Sequence, residues 1–311
     1  MLRDRDSGAL VRALRGALPY LRLFQGRTFV VKVGGEAVVP GAELDAWVAQ
    51  LAILSRLGIG TVLVHGGGPQ ISDLQRRLGI EPTIVAGRRV TDRASLDAAV
   101  MALLGTVRAA LLRAFRAAGA RAVGLSGLDA GLVTASRRPP RVVEGREVDY
   151  GEVGEIESVD VAILRTLLAE GVVPVVAPIS ATATGQPLNI NADTVAAHLA
   201  AALGAEKLIL VTDAPGILGD PEDPHSLVSV TDPAGLDRLE EAGAIRGGML
   251  PKAAAIRHAI AHGVASAHVV PRKVDDSILT EVFTTEGIGT MVIPHAHRFA
   301  GAVPAPAEER A

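Results

Sequence analysis

The sequence predicts an α/β fold: a three-layer αβα arrangement around a mostly parallel central sheet, preceded by an N-terminal helix. Three observations point there. Short β-branched runs recur along the chain, glycine clusters follow several of them, and the stretches between carry apolar residues at helical spacing. Strands that alternate with helices pair in parallel, because each crossover returns the chain to the same edge of the sheet.

The elements follow in order. Leu10, Leu14, Leu18 and Leu21 form one stripe among arginines, so residues 1–26 are expected to be a helix. Asp4, Asp6 and the lack of a continuous apolar core argue against a cleaved leader. Thr28 to Val33 and Thr61 to Val64 read as buried strands, separated by a helical pattern through Leu44, Trp47, Val48, Leu51 and Leu54. Ile71, Leu74 and Leu78 continue the helical period. Leu96 to Phe115 reads as a long helix capped by Ser95. Further strands are expected at Ala122 to Leu125, Val172 to Val176, Leu208 to Thr212 and His268 to Val270, with helices after Asp193 and from Lys252 to Ala261. Arg141 to Ile156 alternates and is too polar for the central sheet, so it reads as an antiparallel hairpin. The segment 297–311, with Pro304 and Pro306, is expected to be disordered.

Composition removes several functions. The chain of 311 residues has a net charge of −3, which provides no global basic field for nucleic acid or an acidic membrane. One Trp, two Tyr and five Phe are too few for base-stacking platforms. With no cysteine there is no disulfide scaffold, thiolate zinc site, thiol nucleophile or iron–sulfur cluster. No uninterrupted apolar run reaches the length of a membrane span, and no metal site is expected.

Chemistry concentrates at the predicted strand ends, where open α/β sheets bind ligands. Lys32 precedes Gly34-Gly35, and His65 precedes Gly66-Gly67-Gly68-Pro69. Glycines there let backbone N–H groups approach an anion, and the following helix adds its dipole. Neither cluster is a Walker A loop or a dinucleotide fingerprint. Asn189, Asn191 and Asp193 alternate, so an extended segment would aim all three in one direction. The strand ending in Thr212-Asp213, followed by Pro215-Gly216, makes a turn suited to a nucleotide. Lys252 follows Gly247-Gly248 at a helix start, where the dipole disfavours a cation unless a polyanion binds. Arg89 is a candidate carboxylate clamp through its planar fork.

Taken together, Lys-x-Gly-Gly, His-Gly-Gly-Gly-Pro-x-Ile, Gly-x-Arg-Val-Thr-Asp, Gly-Leu-Ser-Gly-x-Asp, Asn-x-Asn-Ala-Asp, Thr-Asp-x-Pro-Gly-Ile-Leu and Gly-Gly-Met-x-Pro-Lys resemble the amino acid kinase family in its acetylglutamate kinase branch. The resemblance runs from about Ala17 to Ile293. It implies transfer of the ATP γ-phosphoryl group to the side-chain carboxylate of N-acetyl-L-glutamate, a step of arginine biosynthesis in the cytoplasm. It assigns Lys32 and Lys252 to the transferring phosphoryl group, with Asp193 orienting them. Gly34, Gly35 and Gly67 are expected to donate backbone N–H groups to phosphates. Gly67, Gly68, Arg89, Asn189 and Asn191 are expected at the acetylglutamate site, with Arg89 on the α-carboxylate. Asp213, Gly216, Ile217 and Leu218 are expected at the nucleotide, which arrives with Mg²⁺. The implied domain spans residues 27–296, with about 27–195 binding acetylglutamate and about 196–296 binding ATP. Tyr20, Glu281 and Gly287 resemble the effector site of members that are inhibited by L-arginine and assemble as homohexamers, trimers of dimers. Asp276 stands where that branch is expected to have histidine.

Two alternatives stay open. One is a kinase for a related substrate such as N-acetyl-aminoadipate, since one methylene is worth only about 1–3 kcal/mol of discrimination. The other is a non-catalytic arginine-sensing scaffold, against which Lys32, Asp193 and Lys252 argue together. A nicotinamide oxidoreductase lacks its glycine fingerprint here.

Overall fold

Alternation along the strand Thr28–Val33 divides the molecule into two cores. Phe29, Val31 and Val33 enter one, with Leu44, Leu51, Leu111 and Phe115 from covering helices. Val30 enters the other, with Val195, Leu199, Ile256 and Ile260. A sheet apolar on both faces needs helices on both sides, which is the three-layer arrangement expected. The computed structural model describes residues 4–85, 88–143, 145–285 and 287–296. The segment 297–311 lies outside them, so the expectation of disorder has no counterpart here.

The central sheet has eight strands. From one edge they are Val230–Thr231, Thr290–Val292, Ser266–Pro271, Lys207–Thr212, Thr28–Val33, Gly60–His65, Val173–Ala177 and Ala122–Ser126. All pairs are parallel except Ser266–Pro271 with Thr290–Val292. The strand Thr28–Val33 is the switch point: the chain next builds Gly60–His65 on one side and much later Lys207–Thr212 on the other. Lys32 therefore sits at the place where a ligand crevice opens.

Several local expectations are corrected. The cap of the long helix is Asp92, whose side chain accepts from the Ser95 backbone N–H. A carboxylate three residues before an amide is the stronger cap, and it leaves the Ser95 hydroxyl for another partner. That helix also changes pitch, with a π-type segment at Ala102–Val107 between the α-helical stretches Arg93–Met101 and Arg108–Ala117. By length and composition Arg93–Ala117 would suffice to cross a membrane, but Leu96, Leu103, Leu111 and Phe115 are fully enclosed in the protein. The expected hairpin is shorter, Arg141–Val143 with Arg146–Val148. Gly154–Val159 instead joins a second sheet of four strands, antiparallel to Val133–Arg137. Between them Tyr150 is buried and Gly151 turns with φ +74°, so the chain changes sheets there. Asn189, Asn191 and Asp193 do not share one extended segment. The strand ends at Asn189, and Asn191 caps the helix Ala192–Leu203 by accepting from the N–H groups of Asp193 and Thr194.

The N-terminal helix spans Asp4–Phe24. Phe24 anchors its end, edge-on to Phe29 at 5.2 Å between centroids. Val11, Leu14, Leu18 and Leu23 remain exposed.

Burial of histidines makes the fold acid-sensitive. His65, His258 and His268 are each pushed from 6.5 down to about 4, chiefly by burial. His258 is also stacked between His198 and His262, at 3.8 and 4.1 Å, and these neighbours lower it further. Below pH 6.5 the unfolded chain gains protons that the folded chain takes up only near pH 4, so stability is full above that window and falls through it. Each fully enclosed group contributes up to about 1.4 kcal/mol per pH unit there. Urea unfolding midpoints should drop steadily from pH 7 to pH 5; a midpoint constant over that range would contradict the assignment.

Candidate active site

Lys32 alternates onto the Val30 face of its strand, toward the first turn of the helix Ala192–Leu203, where Asp193 lies. Its Nζ is 2.8 Å from Asp193 Oδ1. Lys252, in the first turn of the helix Met249–Ala261, reaches Asp193 Oδ2 from the other side at 3.4 Å. All three side chains are at most 15% exposed. Burial pushes the Asp193 carboxyl up, but the attraction of both lysines outweighs it and holds the group below the usual carboxylate range. Burial, then repulsion from Lys32, lowers Lys252. One carboxylate between two ammonium groups leaves a net positive charge at the floor of a cleft of about 360 Å³.

Two glycine turns form the adjacent wall. A Cβ on Gly35 would lie 2.5 Å from Pro69 Cδ and 2.9 Å from Gly68 N, so only glycine lets the turns touch. Gln70 Nε2 ties them by donating to the Gly35 carbonyl at 2.7 Å. A Cβ on Gly67 would lie 2.3 Å from Leu103 Cδ2, which the π-type segment delivers to the cleft. Such segments widen a helix locally and recur at functional sites. The helix Gly68–Arg77 has no side-chain cap, so its first-turn amides remain suited to an anion.

Arg89 lines the same cleft as the lysines. Its guanidinium donates to Gln75 Oε1, to Ser72 Oγ at 2.7 Å and to the Gly68 carbonyl at 3.1 Å, all neutral acceptors. Burial, and the charge of Arg76, lower its pKa, though a guanidinium stays protonated. Asn189 lines the same cleft and donates to Thr91 Oγ1 at 3.3 Å; Asn191 lines it beside them while capping its helix.

Of the residues expected at a nucleotide, Gly34, Gly35 and Asp213 line the cleft, whereas Gly216, Ile217 and Leu218 do not. Ile217 is buried, and its N–H donates to Thr290 Oγ1 at 2.8 Å. The sequence did not point to Arg272, which lines the cleft and bridges Asp213 and Glu43. A basic residue directly after the strand Ser266–Pro271 was the available sign.

Tyr20, Glu281 and Gly287 lie elsewhere. Lys207 begins a strand that ends at Thr212, about 17 Å away at strand rise and just before Asp213, so it belongs to the opposite end of the strands. There Lys207 Nζ is 3.0 Å from His268 Nε2, and His268 Nδ1 is 2.7 Å from Glu281 Oε1. An ammonium can only donate, so His268 accepts at Nε2 and donates from Nδ1, which is the neutral form that burial favours. Glu281 Oε2 accepts from the N–H groups of Ile288 and Gly289, and a Cβ on Gly287 would crowd it at 2.9 Å. Lys207 also lies over the Phe24 ring at 5.1 Å, and Phe24 stacks on Tyr20. The group thus contains a histidine despite Asp276, whose backbone instead precedes the helix Ser277–Phe283 in a left-handed conformation.

Comparison with known proteins agrees with this architecture. The family model described as amino acid kinase family matches residues 27–271. The chain is 48% identical to an acetylglutamate kinase of Myxococcus xanthus, covering 94% of this chain and 97% of that one. It is 46% identical to that of Symbiobacterium thermophilum, covering 93% and 99%. Among solved structures, the N-acetylglutamate synthase of Neisseria gonorrhoeae bound to coenzyme A and N-acetyl-glutamate superposes with TM-score 0.80 at 31% identity, over 92% of this chain and 64% of that one. The same synthase has been solved with L-arginine, at TM-score 0.79 and 30% identity over 92% of this chain and 65% of that one. Carbamate kinase of Giardia lamblia, at TM-score 0.60, 17% identity and coverage of 87% and 99%, shares the fold. The chain belongs to the amino acid kinase family.

Proposed function

We propose that this protein is a phosphotransferase that moves the γ-phosphoryl group of ATP to the side-chain carboxylate of N-acetyl-L-glutamate, giving N-acetyl-L-glutamyl 5-phosphate and ADP. The observation that carries the reading is the buried Asp193 holding Lys32 and Lys252 at the floor of a cleft that Arg89 also lines. A carboxylate is already ionised near neutral pH, so the nucleophile needs no base. Its oxygen forms a bond to phosphorus as the bond from phosphorus to the β–γ bridging oxygen breaks, and ADP leaves. The protein's task is to bring two anions together and stabilise charge on the transferring group. Lys32 and Lys252 do this from opposite sides, the glycine-turn amides hold phosphate oxygens, and Arg89 holds the α-carboxylate. Substrate is bound mainly by residues of the segment 27–195 and ATP by the segment 196–296. Mg²⁺ enters as part of the ATP substrate. Among the described residues no group of three or more His, Asp or Glu is placed to hold a metal, so phosphate oxygens and water would be its ligands.

The reading extends to regulation in the cytoplasm. L-arginine is the feedback effector, bound where Glu281 and Gly287 meet Lys207 and His268 beneath Tyr20 and Phe24. The exposed apolar residues of the helix Asp4–Phe24 pair with a second copy in a homohexamer, a trimer of dimers. The synthase solved with L-arginine supports the choice of effector.

Trapping the product with hydroxylamine tests the activity. With ATP and Mg²⁺, N-acetyl-L-glutamate should give the highest hydroxamate yield in a panel of acetylated amino acids. Preference for N-acetyl-aminoadipate would reassign the substrate, and no ATP-dependent hydroxamate with any would favour a non-catalytic arginine sensor. Lys252→Ala should lower kcat on the order of 10²–10³-fold with little change in acetylglutamate binding. Near-normal turnover would remove Lys252 from the phosphoryl path. Deleting residues 1–24 should leave dimers that retain kinase activity but no longer respond to arginine. A hexamer by light scattering, or unchanged inhibition, would refute that coupling.

A further inference from the structure

The geometry points to Gln75 as the residue that positions Arg89 for the substrate's α-carboxylate while leaving its charge unspent, an inference that rests on the proposed reading of the site. Gln75 lies in the last turn of the helix Gly68–Arg77 and is fully buried. Both ends of its amide are used. Nε2 donates to Ser95 Oγ at 2.8 Å, and Oε1 accepts from Arg89 Nη1. A guanidinium has no acceptor, so the oxygen must be the end that faces it and the orientation of the amide is fixed. Ser95 is held in turn, buried, by the bond from its N–H to Asp92 Oδ1 at 2.8 Å. Ser72 Oγ and the Gly68 carbonyl complete the support of the guanidinium.

Every one of these acceptors is neutral. Among the described residues no carboxylate lies within ion-pair distance of Arg89. The contrast within the same cleft is Arg272, which two carboxylates grip. A half-buried cation fixed only by neutral dipoles keeps its full attraction for an incoming anion, whereas one already paired must exchange partners. Glutamate at position 75 would have the same shape and a stronger bond to Arg89. It would also occupy Arg89 with an internal carboxylate. A glutamine here therefore sets affinity for the substrate's carboxylate through Arg89 and touches no substrate itself.

Gln75→Glu and Gln75→Met separate this role from a structural one. If Gln75 only completes the fold, the isosteric glutamate is benign and methionine, which leaves Ser95 and Arg89 without the amide, does the harm. If it keeps Arg89 available, Gln75→Glu raises KM for N-acetyl-L-glutamate on the order of 10–100-fold, the span of a charge-assisted bond. Its kcat, KM for ATP and melting temperature stay near those of the parent, and Gln75→Met raises the same KM less. Calorimetry with the α-carboxamide analogue of N-acetylglutamate gives an independent readout. The parent should bind the analogue much more weakly than the acid, and Gln75→Glu should discriminate far less between the two. An unchanged KM and undiminished discrimination in Gln75→Glu, in an enzyme whose parent phosphorylates acetylglutamate, would overturn the proposal. A parent that forms no acyl phosphate would instead overturn the reading of the site.

Discussion

A single buried carboxylate, Asp193, fixes the geometry on which the cleft depends. Two ammonium groups facing one phosphoryl path would repel each other and, in a low-dielectric site, tend to lose their protons. Asp193 opposes that by pairing its charge with each through a separate oxygen. Burying charges is costly, and a buried ion pair seldom stabilises a fold beyond what apolar packing would. Its value is in placement: a strand, a helix N-terminus and a second helix must all meet at one carboxylate. The helix that carries Asp193 is started by Asn191, so the cap and the ion-pair network share one turn.

The remaining features arrange a second anion relative to that point. Glycines at 35 and 67 permit contacts that a Cβ would forbid, which brings two backbone turns beside Lys32. The π-type segment presses Leu103 against Gly67, so a change of helical pitch in the core becomes part of the cleft wall. In the same cleft Arg89 rests on neutral partners. The cleft thus has a compensated but net positive floor and a further cation without a carboxylate partner in its lining, which suits two anionic substrates that must be held close together.

Much of this was legible in the residues. Strands and helices with strong periodicity, such as Thr28 to Val33 and Leu96 to Phe115, sit within a few residues of their expected places. Lys32 and Lys252 stood out because a lysine at the end of a buried strand, or at a helix start, conflicts with its surroundings unless chemistry explains it, whereas Asp193 was reached through an alternation that the fold does not keep. Less legible were features fixed by long-range partners. Gly154–Val159 looks like half of a hairpin until Val133–Arg137 is available to pair with it. Asp92 and Ser95 are both reasonable caps, and the choice depends on Gln75, which takes the serine hydroxyl. Arg272 and Lys207 were not singled out, since Glu43, Asp213 and His268 approach them only in the folded chain.

The most direct test of the central claim is kcat of Asp193→Asn, followed by acyl-phosphate trapping at saturating substrates, with circular dichroism confirming the fold. Asparagine keeps the shape but removes the charge that holds the lysines together. The account predicts a folded protein with kcat reduced by at least about 10²-fold, the scale of losing an electrostatic stabiliser. Turnover within a few-fold of the parent near pH 7 would contradict it.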